Sequence, residues 1–267
     1  MKVFLNNGLR RGVLELQQLA RSAKDLSNYL FQVVAFVLLA NWQKGHAPLL
    51  VAGGIASLSV LTALVTLPQA LATDKMDGTL LRIRGLPNGL IAYVTGKIVF
   101  VTCVAFGSSL LLLLLGAGIN HTGLPNSAGA WATLVWVLVA GFTATTPLGL
   151  LIGAMLPNAR EALAMVMFPV YGLLAISGVF FPAGQLPGWL QGLAKAFPLK
   201  WMAQGVREAL APAASTDTSW QLPALGLFLA WSVLGSLLAS RLLQHTARRE
   251  SGSALSRRRE LSTGPAN

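Results

Sequence analysis

Apolar runs close to the ~20 residues that an α-helix needs to cross a bilayer recur along nearly the whole chain. Six candidate spans result: Leu26–Trp42, Leu49–Ala72, Leu90–Leu115, Ala130–Leu156, Ala162–Phe181 and Leu222–Leu243. The runs are long and do not alternate. A helix, which satisfies its own backbone hydrogen bonds in lipid, fits them better than a strand. With 54% hydrophobic and 11% charged residues, a water-soluble core could not hide the apolar surface. The expected fold class is therefore all-α and polytopic. Three segments are expected: 1–25 as an amphipathic interfacial helix, 26–243 as a six-span membrane domain, and 244–267 as a disordered basic tail.

The net charge of +11 would point to nucleic acid in a soluble protein, but here it lies between and outside the apolar runs. No nucleic-acid partner is expected. Of the twenty Lys and Arg residues, all but Lys44, Lys195, Lys200 and Arg207 fall on the side of the amino terminus. Basic residues near span ends are retained in the cytoplasm, so both termini are expected there. In the first segment Leu9, Val13, Leu16 and Ala20 recur at helical steps, with Arg10, Arg11, Glu15 and Arg21 between them. This pattern suits a helix on the inner membrane surface, its basic face toward anionic lipid.

Proton- or sodium-coupled transport needs ionisable groups inside the membrane. All nine acidic residues lie in flanks, loops or span ends. Lys97 falls close enough to the inner surface to snorkel. His46, His121 and His245 lie outside the spans, and Cys103 is the single cysteine, so neither a metal cluster nor a nucleophile with its base is apparent. No metal site and no catalytic residues are assigned. Gly96-Lys97 is not a phosphate loop, because Ile98 and Ile91 stand where that motif needs Ser or Thr and Gly. The chain is not expected to be an enzyme or to bind a cofactor.

Two segments carry a more specific signal. In the connection between the second and third spans, Asp77, Gly78, Thr79, Leu80, Pro87, Gly96 and Lys97 form an acidic residue, a Gly-Thr-Leu step, a proline and a Gly-Lys opening the next span. Between the fifth and sixth spans, Ser177, Gly178, Phe180, Phe181, Pro182, Leu186, Pro187, Trp189, Leu190, Pro198 and Arg207 form a Ser-Gly, aromatic and proline pattern. Its prolines divide it into two short helices, roughly 188–196 and 199–211, and its aromatic residues suit the membrane interface. Both segments resemble the membrane subunits of type-2 ABC transporters, a family of bacterial drug, lipid and polysaccharide exporters. The first departs from the family's pattern at Leu81, where an acid is usual, and at Leu86, where a Thr precedes the proline.

The resemblance implies a permease in the bacterial inner membrane that moves cargo outward with ATP and Mg held by a separate ATPase subunit. It also implies a homodimer or heterodimer of permeases embedded in membrane lipid. Asp77, Gly78, Thr79, Leu80, Arg82, Arg84 and Pro87 would form the coupling loop. Phe180, Phe181, Pro182, Pro187, Trp189 and Pro198 would form the outer gate in short outer-leaflet helices. Trp136, Phe142, Thr143, Thr145 and Thr146 are candidates for the substrate path, although the threonines equally suit repair of the helix around Pro147. The absence of mid-span charge favours a hydrophobic or amphipathic cargo, drug-like or lipid. A polysaccharide exporter and a noncatalytic scaffold are the alternatives. Gly149 and Gly153, four residues apart, suit close helix contact either at a dimer face or within one subunit.

Overall fold

A computed structural model describes residues 2–84, 89–156, 159–180, 187–211, 218–239 and 241. The described residues are mostly helical and contain no strand. Five helices are long and apolar enough to cross a membrane: α2 (Ala23–Trp42), Ala47–Met76, Ile91–Ile119 within α6 (Gly89–Ile119), α7 (Ala128–Met155) and α11 (Gln221–Ala239). The fifth sequence span corresponds to α8 (Ala159–Ile176), whose apolar part, Ala164–Ile176, is shorter. The expected tail, 244–267, lies outside the described residues.

The helix boundaries follow local chemistry. α1 (Lys2–Arg21) stops at Ser22, whose Oγ accepts from Asp25 N at 3.3 Å and so caps α2. The first span therefore begins three residues before Leu26. The helix of the second span is divided into α3 (Ala47–Leu61), a π-helical segment (Thr62–Thr66) and α4 (Leu67–Met76). Pro68 has no N–H to donate, and the wider turn just before it absorbs the break, with Leu67 N–H reaching back to Thr62 O. α8 ends at Ile176, short of the expected Phe181, because the chain turns at Ser177-Gly178 with Gly178 at φ +78°.

The second span is the hub, with 89% of its apolar window buried, whereas the first and last spans expose most of theirs. α2, α6, α7, α8 and α10 (Pro198–Leu210) all pack against parts of it. Gly149 and Gly153 belong to this packing. A Cβ at Gly149 would collide with the Ala63 carbonyl, and one at Gly153 would press on Pro68 and Leu71. Both glycines therefore face a neighbouring span of the same chain. Ser59 and Ser109 place their Oγ atoms 3.2 Å apart between α3 and α6, and Ser109 Oγ also donates to Ile55 O at 3.3 Å.

Candidate functional site

The connection after α4 is a short helix, α5 (Thr79–Arg84), reached through a turn in which Gly78 has φ +69°. Asp77 occupies the C-terminal cap position of α4, its N–H donating to Thr73 O at 3.0 Å, and is exposed. Arg82 is exposed as well, whereas Ile83 is 7% exposed and packs with Leu71 and Tyr93. Ile83 therefore faces its own bundle, because a six-residue helix needs an apolar anchor to lie against it. The side chains of Leu80, Leu81 and Arg84, and all of Pro87, lie outside the described residues.

The base of this loop is clamped from two sides by consecutive residues. Asp74 accepts from Tyr93 Oη at 2.6 Å and pairs with Lys97 Nζ at 2.9 Å, which ties α4 to α6. Lys97 also pairs with Glu15 of α1 at 3.1 Å, and Glu15 pairs with Arg11 at 3.3 Å. The Arg11 guanidinium lies 4.7 Å from the centre of the Tyr93 ring. On the other side, Lys75 Nζ donates to the carbonyls of Gly153 at 2.8 Å and Ala154 at 2.6 Å, at the C-terminal end of α7. A cation there meets unpaired carbonyls and the negative end of the helix dipole.

This cluster corrects two sequence expectations. Lys97 does not snorkel to water: its side chain is 8% exposed and is held between two carboxylates. The basic face of α1 does not turn wholly outward either. Arg11, Glu15, Gly8 and Gly12 face α6, where a Cβ at Gly8 or Gly12 would strike Thr95 or Val99, while Leu9, Val13 and Leu14 are exposed. Sequence reasoning missed Glu15, Asp74, Lys75 and Tyr93. The available signal was a lysine at the start of a span together with acids in two segments flanking the same membrane surface.

The opposite end of the bundle is closed by α9 (Gly188–Lys195) and α10, close to the two short helices read from the prolines. Pro187 is the N-cap of α9, Trp189 is 72% exposed, and Pro198 starts α10 and is buried. Phe180 stacks on Phe36 with ring centres 6.2 Å apart. Phe181 and Pro182 lie outside the described residues. Trp201 and Trp231 donate their indole N–H groups to Lys195 O and Ala196 O, each at 2.8 Å, and Arg207 Nη1 donates to Gly178 O at 2.7 Å. α10 buries Leu199, Met202, Ala203 and Val206, so it is a packed element of the bundle.

Three of the five path candidates meet in one place. Phe142, Thr143 and Thr146 line a groove of about 470 Å³ between α6, α7 and α11, together with Thr102, Phe106, Pro147 and Ser236. Trp136 and Thr145 lie elsewhere. Trp136 stacks on Trp220 at 5.8 Å, and Thr145 is buried against its own helix, bonding Gly141 O and Phe142 O at 3.1 Å. Thr143 and Thr146 donate to Val139 O and Phe142 O, both at 2.7 Å.

This arrangement is that of a helical protein with five helices long and apolar enough to cross a membrane, a clamped helical loop at one end and a helical cap at the other. A family model described as ABC-2 type transporter matches residues 15–211, and the chain belongs to that family. It is a type-2 ABC transporter permease, and membership implies partnership with an ABC ATPase subunit. No curated protein matches the chain at significant similarity.

Proposed function

We propose that this permease is the membrane subunit of an ABC exporter and that the loop from Asp77 to Pro87 receives the stroke of its ATPase. The observation that carries this reading is the double clamp at the loop's base. A push on α5 is passed by Asp74 to α6 and α1 and by Lys75 to α7. The π-helical segment and Pro68 lie between that base and α3, where the second span can bend. ATP and Mg are held by the partner, and this chain supplies the docking loop and the path.

In this reading α8 is the sixth crossing, joined to α9 and α10 at the outer surface, and both termini face the cytoplasm of a bacterial inner membrane. Two permeases, identical or different, enclose the path. The groove at Phe142, Thr143 and Thr146 accepts an apolar or amphipathic cargo such as a drug-like molecule or lipid. Its Thr102, Thr143 and Thr146 hydroxyls are already bonded to the helix backbone and its walls carry no charge. The cap around Phe180, Trp189 and α10 is the outer gate.

The test is co-purification. The wild-type chain is expected to retain an ABC ATPase from its own cell, and a variant with Asp77→Arg and Arg82→Glu, both at exposed positions, is expected to lose it while still inserting into membranes. A wild-type chain that captures no ATPase in an unbiased pull-down would overturn the proposal in favour of a scaffold.

A further inference from the structure

At the end of the bundle carrying α9 and α10, a cavity of about 530 Å³ opens between three segments. Pro48 and Leu49 come from the start of α3, His121, Thr122 and Asn126 from the stretch after α6, and Arg207 and Leu210 from the end of α10. Arg207 is half-buried there and spends Nη1 on Gly178 O at 2.7 Å. Burial pulls the pKa of its guanidinium down, opposed by Glu208. Lys200 on the same helix is also lowered, first by burial and then by Lys195 and Arg207.

Arg207 is thus a half-buried guanidinium lining an open cavity, a position that favours the entry of an anion. Other features of the wall favour the same occupant. The first turn of α3 brings the positive end of a helix dipole to the cavity through Pro48 and Leu49, and Thr122 and Asn126 belong to the same wall. A guanidinium offers paired N–H groups that match phosphate oxygens.

We propose that this cavity binds a phosphate-bearing anion, with Arg207 as its principal contact. The space exceeds what inorganic phosphate fills, and the apolar Pro48, Leu49 and Leu210 suit the glycerol and first methylenes of an acidic phospholipid. The site rests on the membrane crossing proposed above and not on the ATPase partner. Loss of ATPase docking would leave it intact.

The experiment is native mass spectrometry of the full chain in detergent with phosphatidylglycerol, with diacylglycerol of the same acyl chains, and with inorganic phosphate. Phosphatidylglycerol is expected to be retained and diacylglycerol lost. Arg207→Gln is expected to weaken phosphatidylglycerol about tenfold or more, and Arg207→Lys less. Because Arg207→Gln also removes the bond to Gly178 O, Leu49→Trp serves as the second variant: it fills the cavity, keeps the arginine, and is expected to weaken binding as much. Binding of inorganic phosphate without the lipid, sensitive to the same variants, assigns the anion to a soluble source. Equal retention of diacylglycerol, wild-type binding by both variants, or no binding of either phosphate compound overturns the site.

Discussion

The Lys97 ammonium stands 2.9 Å from the Asp74 carboxylate, joining the start of one membrane span to the end of the one before it. Glu15 reaches the same ammonium from α1 at 3.1 Å, so one buried cation holds three helices. Removing it leaves Asp74 with only the Tyr93 hydroxyl and Glu15 with only Arg11, at positions of low exposure. Lys97→Met is expected to destabilise the protein by about 3 kcal/mol. Adding Asp74→Asn should recover part of that loss. Tryptophan-monitored thermal unfolding in detergent of the two single variants and the double variant checks this, and strictly additive losses would deny the coupling.

Lys75 should act on a different helix. Its ammonium bonds the Gly153 and Ala154 carbonyls, so Lys75→Met is expected to cost about 1.5–3 kcal/mol, the range for hydrogen bonds to a charged group. Hydrogen exchange should rise at the last turn of α7 and remain unchanged at the start of α6. Exchange that rises equally at both places would show that the two clamps are not separate.

Gly149→Ala is expected to destabilise by about 1–3 kcal/mol, because the added methyl meets the Ala63 carbonyl in a packed interface. Gly107→Ala is the control. Nothing lies within 4 Å of a Cβ at Gly107, a mid-helix position, and its effect should be neutral to stabilising by up to about 1 kcal/mol. Unfolding in detergent measures both.

At the cap, Trp231→Phe keeps a ring beside Phe197 and removes the N–H that bonds Ala196 O at 2.8 Å. A loss of about 1 kcal/mol is expected, with faster proteolysis of the segment joining α9 to α10. An unchanged proteolysis rate would show that this bond does not hold the cap closed.

Much of this was legible in the sequence because it rests on local rules. The apolar runs located the long helices, and Pro187 and Pro198 marked the two short ones at the cap. Asp77, Gly78 and Thr79 marked the loop between the second and third spans. The missing part depends on distance in space. Nothing near Lys97 in the chain announces Glu15, eighty-two residues earlier, and a lysine at a span end reads as a snorkelling group until the fold brings carboxylates to it. Likewise, Trp136 and Thr145 share a helix with Thr143 but point elsewhere, because a helix turns about 100° per residue and distributes neighbours over different faces. Gly149 and Gly153 fitted two kinds of contact until the position of α4 decided between them.

The most direct test of the central claim is site-directed crosslinking in membranes on a Cys103→Ser background. Asp77→Cys and Trp189→Cys place single exposed thiols at opposite ends of the bundle. The account predicts that Cys at 77 crosslinks to the ATPase subunit, with a yield that changes when ATP is added, and that Cys at 189 does not. An ATPase that crosslinks at 189, or that co-purifies yet never crosslinks at 77, would contradict it.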